Sequence, residues 1–403
     1  MPTEKNAEPA SPFPDEALRS SHPSVEALAR SARRRIPGFA FDYLTGGCHH
    51  ELNLARNTTE LRQIRLAPHY LDEYAGADLR TKLFDHTYSA PFGVAPIGLQ
   101  GMIWPGATEI LAAAAHAANL PFILSTVATA SIETVAQITE GRAWFQLYHP
   151  KKDTLRDAIV DRVAAAGLPV LVLLADTPSF GYRPKEIRNG LSLPPRMTLR
   201  NVLQMSMHPT WALGQLRAGV PRFATLAPYL PRGLNLKHLG LFMNKTFSGR
   251  LTARKIAGLR VRWKGRLVIK GIVTPEDASR AIDLGADGLI VSNHGGRQHD
   301  VGESTVASLL RLLDAVAGRV PVMLDSGVRS GSDVACALGA GADFAFLGRT
   351  FMYGVGALGR AGGQHTMVML KRQLQQVMEQ IGCERPEQLR NHRIPESSQP
   401  RLT

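Results

Sequence analysis

The sequence predicts an α/β protein built as a closed (β/α)8 barrel (a TIM barrel), with an N-terminal helical segment and a long insertion after the fourth strand. Three observations predict it. Eight short apolar runs alternate with helical stretches, polar residues stand where those runs end, and a proline-broken interval separates the fourth run from the fifth. The 403 residues with 44% hydrophobic content are enough to bury one large core.

Taken in order, residues 1–24 mix Pro, Ser, Glu and Arg without the apolar centre of a secretory signal, and a disordered leader is expected there. A helix is predicted around Val25 to Arg35, opening a single barrel domain over 25–382. The first four strand-like runs are Phe92 to Pro96, Phe122 to Thr126, Trp144 to Tyr148 and Val170 to Asp176. The other four are Leu267 to Gly271, Gly288 to Asn293, Val322 to Gly327 and Phe344 to Arg349. Stretches such as Ala112 to Ala118 and Ala278 to Leu284 are alanine-rich, as crossover helices are. The uncharged stretch from Ile110 to Ile132 has the length of a membrane span, but His116, Asn119 and Pro121 interrupt it. A helix followed by a strand is expected instead.

The insertion is expected over 178–266, where Pro194, Pro195, Pro209, Pro221, Pro228 and Pro231 prevent a continuous helix. It mixes Met197, Met205, Met207, Trp211, Phe223, Leu226 and Tyr229 with Arg196, Arg200, Arg217, Arg222 and Arg232. Such a mixture suits an active-site lid, a membrane surface, or both. Residues 383–403 are expected to be a tail. The net charge of +13 suits anionic partners, and Cys48, Cys336 and Cys383 form neither a disulfide framework nor a zinc site, which fits a reducing cytoplasm. The few aromatic residues provide no stacking platform for nucleic acid.

In a closed barrel the strand ends face one pocket, and here they carry Gln146, Tyr148, Asp176, Lys270, His294, Arg297, Asp325 and Arg349. So many charged groups at one mouth imply a charged ligand. After the run Gly288 to Val291, Gly295 and Gly296 form a turn that presents His294 and Arg297. Loops after strands seven and eight commonly bind phosphate, and Gly327, Arg329, Gly348 and Arg349 stand there. Neither a dinucleotide-binding Gly-x-Gly-x-x-Gly unit nor a Walker loop is present, so NAD and ATP find little local support, and no metal ligand set is indicated.

The motifs FDYLTGG (41 to 47), APIGLQG (95 to 101), LSTVAT (124 to 129), WFQLY (144 to 148) and DTP (176 to 178) continue in VIKG (268 to 271), SNHGGRQ (292 to 298), LDSGVRSGSD (324 to 333) and LGR (347 to 349). With them the chain resembles the FMN-dependent 2-hydroxy acid dehydrogenase and oxidase family from about Ile36 to the final helix. HPTWALGQLRAGVPRF at 208 to 223 resembles the membrane-associated bacterial members, among them L-lactate and (S)-mandelate dehydrogenases.

The resemblance implies oxidation of an (S)-2-hydroxy acid, L-lactate first and an aromatic acid second, to the 2-oxo acid, with electrons passing to a quinone or another carrier. An oxygen-using oxidase or monooxygenase is the alternative, and a non-catalytic basic binding barrel a weaker one. It implies His294 as base and Asp176 as its carboxylate partner. Arg183 and Arg297 would hold the substrate carboxylate with help from Tyr43, and Tyr148 would stand near the substrate oxygen. Lys270 would stabilise the reduced ring. The flavin cradle would comprise Ala95, Pro96, Ile97 and Gly98, with Ser125, Gln146 and Ser292, and the remaining cofactor contacts would come from Asp325, Gly327, Arg329, Gly348 and Arg349. A homotetramer, cytoplasmic or peripheral on the inner face of the cell membrane, is also implied.

Three departures stand out. Leu174 replaces the threonine usual two residues before Asp176, which removes one flavin hydrogen bond. Gly98 stands where oxidases often carry alanine, tilting the acceptor away from oxygen. Val127 replaces the aromatic residue of glycolate oxidases, which widens the room for the substrate side chain.

Overall fold

A computed structural model of the chain describes residues 16–191, 196–219, 221–230, 242, 245–247 and 249–395. A two-stranded hairpin, β1 (Thr81–Leu83) and β2 (His86–Tyr88), precedes the barrel. The barrel strands are β3 (Phe92–Val94), β4 (Ile123–Ser125), β5 (Trp144–Leu147), β6 (Val170–Leu174), β7 (Arg266–Ile272), β8 (Gly288–Val291), β9 (Val322–Leu324) and β10 (Phe344–Leu347). Each coincides with one of the eight apolar runs. All neighbours pair in parallel in the order β3-β10-β9-β8-β7-β6-β5-β4, and a parallel bridge between Val94 and Phe122 closes the ring.

Successive residues of a strand face opposite sides, and that period divides each run. Val170, Val172, Val268, Ile290, Met323, Phe344 and Phe346 point into the barrel, whereas Leu171, Leu173, Leu267, Ile269, Leu289 and Val291 pack under the helices. The hairpin plugs the N-terminal end, where Trp144 donates its indole N–H to the Tyr88 hydroxyl at 3.2 Å. With that end filled by Leu83 and Tyr88, the cavity among the described residues of the barrel lies at its C-terminal end.

The helices preceding the barrel are α1 (Glu16–Ser21), α2 (Val25–Arg35), α3 (Gly38–Thr45) and α4 (Leu52–Leu61). The predicted helix over Val25 to Arg35 is present with those bounds, and Ser24 caps it by accepting from the Ala27 N–H. Between Ile110 and Ile132 the chain forms the end of one helix, then β4, as expected. Two short helices, α5 (Gln100–Ile103) and α6 (Ala107–Ala117), follow β3. Then come α7 (Ile132–Ile138) and α8 (Asp153–Ala165).

Three boundaries differ from expectation. The leader expected to be disordered is ordered in its second part: α1 occupies residues 16–21, and the next residue, His22, bonds Ser31 at 2.8 Å, while residues 1–15 lie outside the described set. The tail from 383 is anchored over its first part, because Leu389 is fully buried, His392 reaches the Ala67 carbonyl at 2.9 Å and Arg393 bridges Leu66. A few scattered contacts among charged neighbours supply that anchor, which composition does not reveal; residues 396–403 lie outside the described set.

The insertion proper is also shorter than 178–266. It contains α9 (Pro184–Arg188), α10 (Leu199–Ser206) and α11 (Pro209–Ala218), but α12 (Ala253–Arg262) buries Ile256 and Leu259 as a barrel crossover helix leading into β7. Trp211 and Leu226 do not contribute to a membrane-facing mixture either. Both are buried, with the Trp211 ring against Phe39 and its N–H on the Met102 and Ile103 carbonyls. Arg232, Pro194, Pro195 and Pro231 lie outside the described residues.

Candidate active site

The inward-pointing residue after each apolar pair lands at the open end, and these residues line one cavity of about 530 Å³. Ser125 of β4, Gln146 of β5, Leu174 of β6, Lys270 of β7, Asp325 after β9 and Gly348 after β10 all contribute, joined by Tyr43, Tyr148, Arg183, His294 and Arg297. Strand period thus carries each polar group to the same mouth.

The ring of His294 is held from both sides. Its Nδ1 lies 3.1 Å from Asp176 Oδ1 and its Nε2 lies 3.2 Å from the Tyr148 hydroxyl. With Nδ1–H donating to the carboxylate, Nε2 carries the lone pair toward the cavity. Burial acts most strongly on the imidazole and lowers its pKa below the ordinary 6.5, although Asp176 pulls the other way. Burial pushes the Asp176 carboxyl upward, but the charge and hydrogen bond of His294, with Lys270, outweigh it and leave its pKa below the usual value. The pair at neutral pH is therefore an aspartate and a neutral imidazole, the state a base requires. Burial raises the Tyr148 pKa, so its hydroxyl remains a donor.

Local backbone makes this presentation possible. His294, Gly295 and Gly296 have φ values of 58°, 65° and 72°, three left-handed residues in succession. A Cβ on Gly296 would lie 2.6 Å from the Leu54 backbone. The Asn293 side chain buttresses the turn by exchanging hydrogen bonds with Asn57 at 2.8 and 2.7 Å. In β7 the register shifts between Lys270 and Ile272, and a Cβ on Gly271 would lie 2.6 Å from Asp176 Cβ, so the bulge makes room for the carboxylate.

Lys270 is buried, with Nζ 2.7 Å from Ser292 Oγ and 2.9 Å from Asp325 Oδ2. Ser125 donates to Gln146 Oε1 at 2.9 Å, which leaves the buried Gln146 amide nitrogen without a partner. At the far end stand two guanidiniums, that of Arg349 buried and that of Arg329 partly buried. Arg349 donates to the carbonyls of Leu44, Gly295 and Gly46 at 3.0, 3.1 and 2.9 Å, and Arg329 to that of Val328 at 3.0 Å. Burial, then Arg329 and Arg297, bring Arg349 down to about 9, and burial lowers Arg329. Among the described residues neither forms an ion pair, and two such cations lining one end of a cavity call for an anion.

Residues 32–396 match the family of FMN-dependent dehydrogenases. The chain belongs to that family. It is 36% identical to an L-lactate dehydrogenase of Pectobacterium atrosepticum over 354 residues, 88% of this chain and 92% of the relative. It is 37% identical to an L-lactate dehydrogenase of Haemophilus influenzae over 356 residues, 88% and 93% of the two chains. Among solved structures, the monotopic membrane protein (S)-mandelate dehydrogenase superposes with a TM-score of 0.87 at 32% identity, covering 93% of this chain and 99% of the other. Mandelate oxidase superposes with a TM-score of 0.79 at 30% identity over 92% and 97%.

The cavity of this FMN-dependent dehydrogenase fits its cofactor. The orphaned Gln146 amide and the Lys270 ammonium suit a heteroaromatic edge, and the Arg329 and Arg349 pair suits a phosphate. Ala95, Pro96, Ile97 and Gly98 line the same cavity. Asp176 and Ser292 stand behind it, each bonded to a residue that does line it. Gly327 is not among the lining residues. Its positive φ of 93° and the Asn57 carbonyl, 2.5 Å from a Cβ built there, demand glycine for packing. Leu174 lines the cavity as an apolar residue, and a Cβ on Gly98 would stand 2.8 Å from Val127 Cγ2.

Sequence reasoning missed Glu186, Phe180 and Leu191, which line the cavity, and named Phe223, which also lines it, only as part of the insertion. Glu186 follows Arg183 by three residues across a proline, a spacing that could have suggested a paired carboxylate.

Proposed function

We propose that the chain oxidises an (S)-2-hydroxy acid, with L-lactate the first candidate, to the 2-oxo acid and passes the electrons to a membrane quinone. One observation supports it above the others: the neutral Nε2 of His294 faces a cavity that also receives the guanidiniums of Arg183 and Arg297. Two guanidiniums hold a carboxylate by charge-assisted bonds and so fix the α-carbon. Tyr43, whose ring lies under Arg297 at 4.9 Å, closes that end. Tyr148 donates to the substrate hydroxyl while His294 takes the proton, and Asp176 stabilises the imidazolium that results. FMN, when bound, supplies the two-electron acceptor. Lys270 places a buried positive charge where negative charge develops.

An anaerobic absorbance spectrum with L-lactate, D-lactate and L-mandelate tests the reading. Bleaching of the flavin bands by an L-acid and not by D-lactate is expected, with recovery on adding a soluble quinone. Recovery only with air, yielding peroxide or a decarboxylated acid, would establish the oxygen-using alternative, and no bleaching by any acid would overturn the proposal.

The acceptor proposal draws support from the insertion. Leu199, Leu203 and Met207 on and just beyond α10 and Leu213 and Leu216 on α11 are exposed, Leu199 by 90% and Leu216 by 80%, with Arg200 and Arg217 exposed beside them. No helix among the described residues is long and apolar enough to cross a membrane, and the contact proposed here is interfacial. Phe223 and Leu191 of the same insertion line the cavity, so the insertion borders the site that would hold the flavin. Vesicles with anionic headgroups should sediment the holoenzyme, and L199D/L203D/L216D should lower that partitioning by at least about tenfold. Equal sedimentation of both proteins would refute surface binding through these helices.

A further inference from the structure

Glu186 sits on α9 with its side chain 11% exposed and its carboxylate between the two guanidiniums that face the cavity. Its Oε1 and Oε2 lie 3.3 and 3.4 Å from Arg183 Nη1, and Arg297 Nη2 donates to its Oε1. The other donors are largely committed to protein. Arg183 Nε donates to the Arg297 carbonyl at 3.2 Å and its Nη2 to Gln298 Oε1 at 2.9 Å. Arg297 Nη1 donates to the carbonyls of Tyr43 and Gly46 at 2.8 and 2.9 Å. Two buried cations thus share one built-in anion, which leaves a single positive charge for a ligand. A ligand with one carboxylate neutralises the cluster, whereas one with a second carboxylate nearby meets Glu186.

The carboxylate is not required to hold its helix. Lys185 pairs with Glu51 at 2.7 Å and Asn189 donates to Asp42 at 2.7 Å, so α9 is tied to α3 and the loop beyond it at both ends without Glu186. What Glu186 changes is the charge of the clamp.

We propose that Glu186 is a positioning and selectivity residue: a resident counter-carboxylate that keeps the two guanidiniums side by side, moderates their grip on a monocarboxylate so that the 2-oxo acid leaves, and turns away dianions. This rests on the reading that Arg183 and Arg297 hold the substrate carboxylate. Like charges held together in a buried wall repel, and an anion between them relieves the repulsion before any ligand arrives. The same anion competes with the ligand for donors, so affinity is given up in return for turnover.

The test is Glu186→Gln in the FMN-loaded enzyme, which preserves shape and removes the charge. Binding of pyruvate and of oxalate is read from the flavin absorbance difference, alongside kcat and KM for L-lactate. Expected are about tenfold tighter pyruvate binding, a larger gain for oxalate, a lower KM, and a kcat lowered by slow product release. Glu186→Asp, which keeps the charge, should hold both affinities within about threefold of wild type. Weaker or unchanged anion binding in E186Q, or an unchanged ratio of oxalate to pyruvate affinity, overturns the proposal. If E186Q does not retain flavin, tenfold tighter anion binding in E186D overturns it instead. Failure of the underlying reading shows separately, as a wild-type enzyme whose flavin no 2-hydroxy acid bleaches and no carboxylate perturbs.

Discussion

Replacing His294 by asparagine is expected to lower kcat/KM for the 2-hydroxy acid by about 10²- to 10⁴-fold, the range for loss of a positioned general base. Asparagine tolerates the left-handed φ of 58° at this position better than other side chains, so the turn and the flavin site should survive. Retained flavin absorbance alongside the lost rate would place the defect in proton transfer; a loss of less than tenfold would deny His294 the role of base. The pH profile gives an independent check. The active form is the neutral imidazole, whose pKa lies below 6.5, so kcat/KM should be flat around neutrality and fall only as pH drops below that value. Asp176 opposes the lowering, so Asp176→Asn should move the acid limb to still lower pH while depressing the plateau. A limb that moves upward would contradict the assigned pairing.

The second large effect is expected at Lys270. Lys270→Met leaves Asp325 as an uncompensated buried carboxylate, and breaking a buried pair from one side costs about 3–5 kcal/mol. Denaturant unfolding should show that loss in the flavin-free protein. The double substitution K270M/D325N removes both charges, and most of the stability should return while the reaction does not, since the cation beside the cofactor stays absent. Wild-type stability in K270M would show that Asp325 finds another partner. Full turnover in either variant would remove Lys270 from the chemistry.

These two sites were legible in the sequence for a local reason. A buried parallel strand reads as a short apolar run, and the polar residues that follow it at the period of two, Gln146 after Trp144 and Lys270 after Val268, must point into the same barrel. A closed ring then brings such ends together, so Ser125, Gln146, Lys270 and Asp325 could be assigned to one mouth before their distances were known.

Glu186 and Gly327 were not legible in that way. Glu186 sits on a five-residue helix of the insertion, and its partners Arg183 and Arg297 meet only when that insertion folds over the β8 turn, more than 100 residues away. Gly327 carries the glycine of a phosphate loop, but the approach of α4 through Asn57 dictates it. Trp211, an apparent surface aromatic, is buried because α11 packs on α5, while Leu199 on α10 and Leu216 on α11 stay exposed.

The sequence by itself determined the eight-stranded ring, the end at which chemistry gathers, and the imidazole, carboxylate and guanidinium types found there, because strand period and apolar spacing act between near neighbours. Tertiary structure alone decided which carboxylate shares the two guanidiniums, which glycine must pack closely against α4, and which face of the insertion stays apolar and open. Those outcomes depend on contacts between segments distant in the chain, whose charges and shapes compete for the same partners only after the barrel has closed.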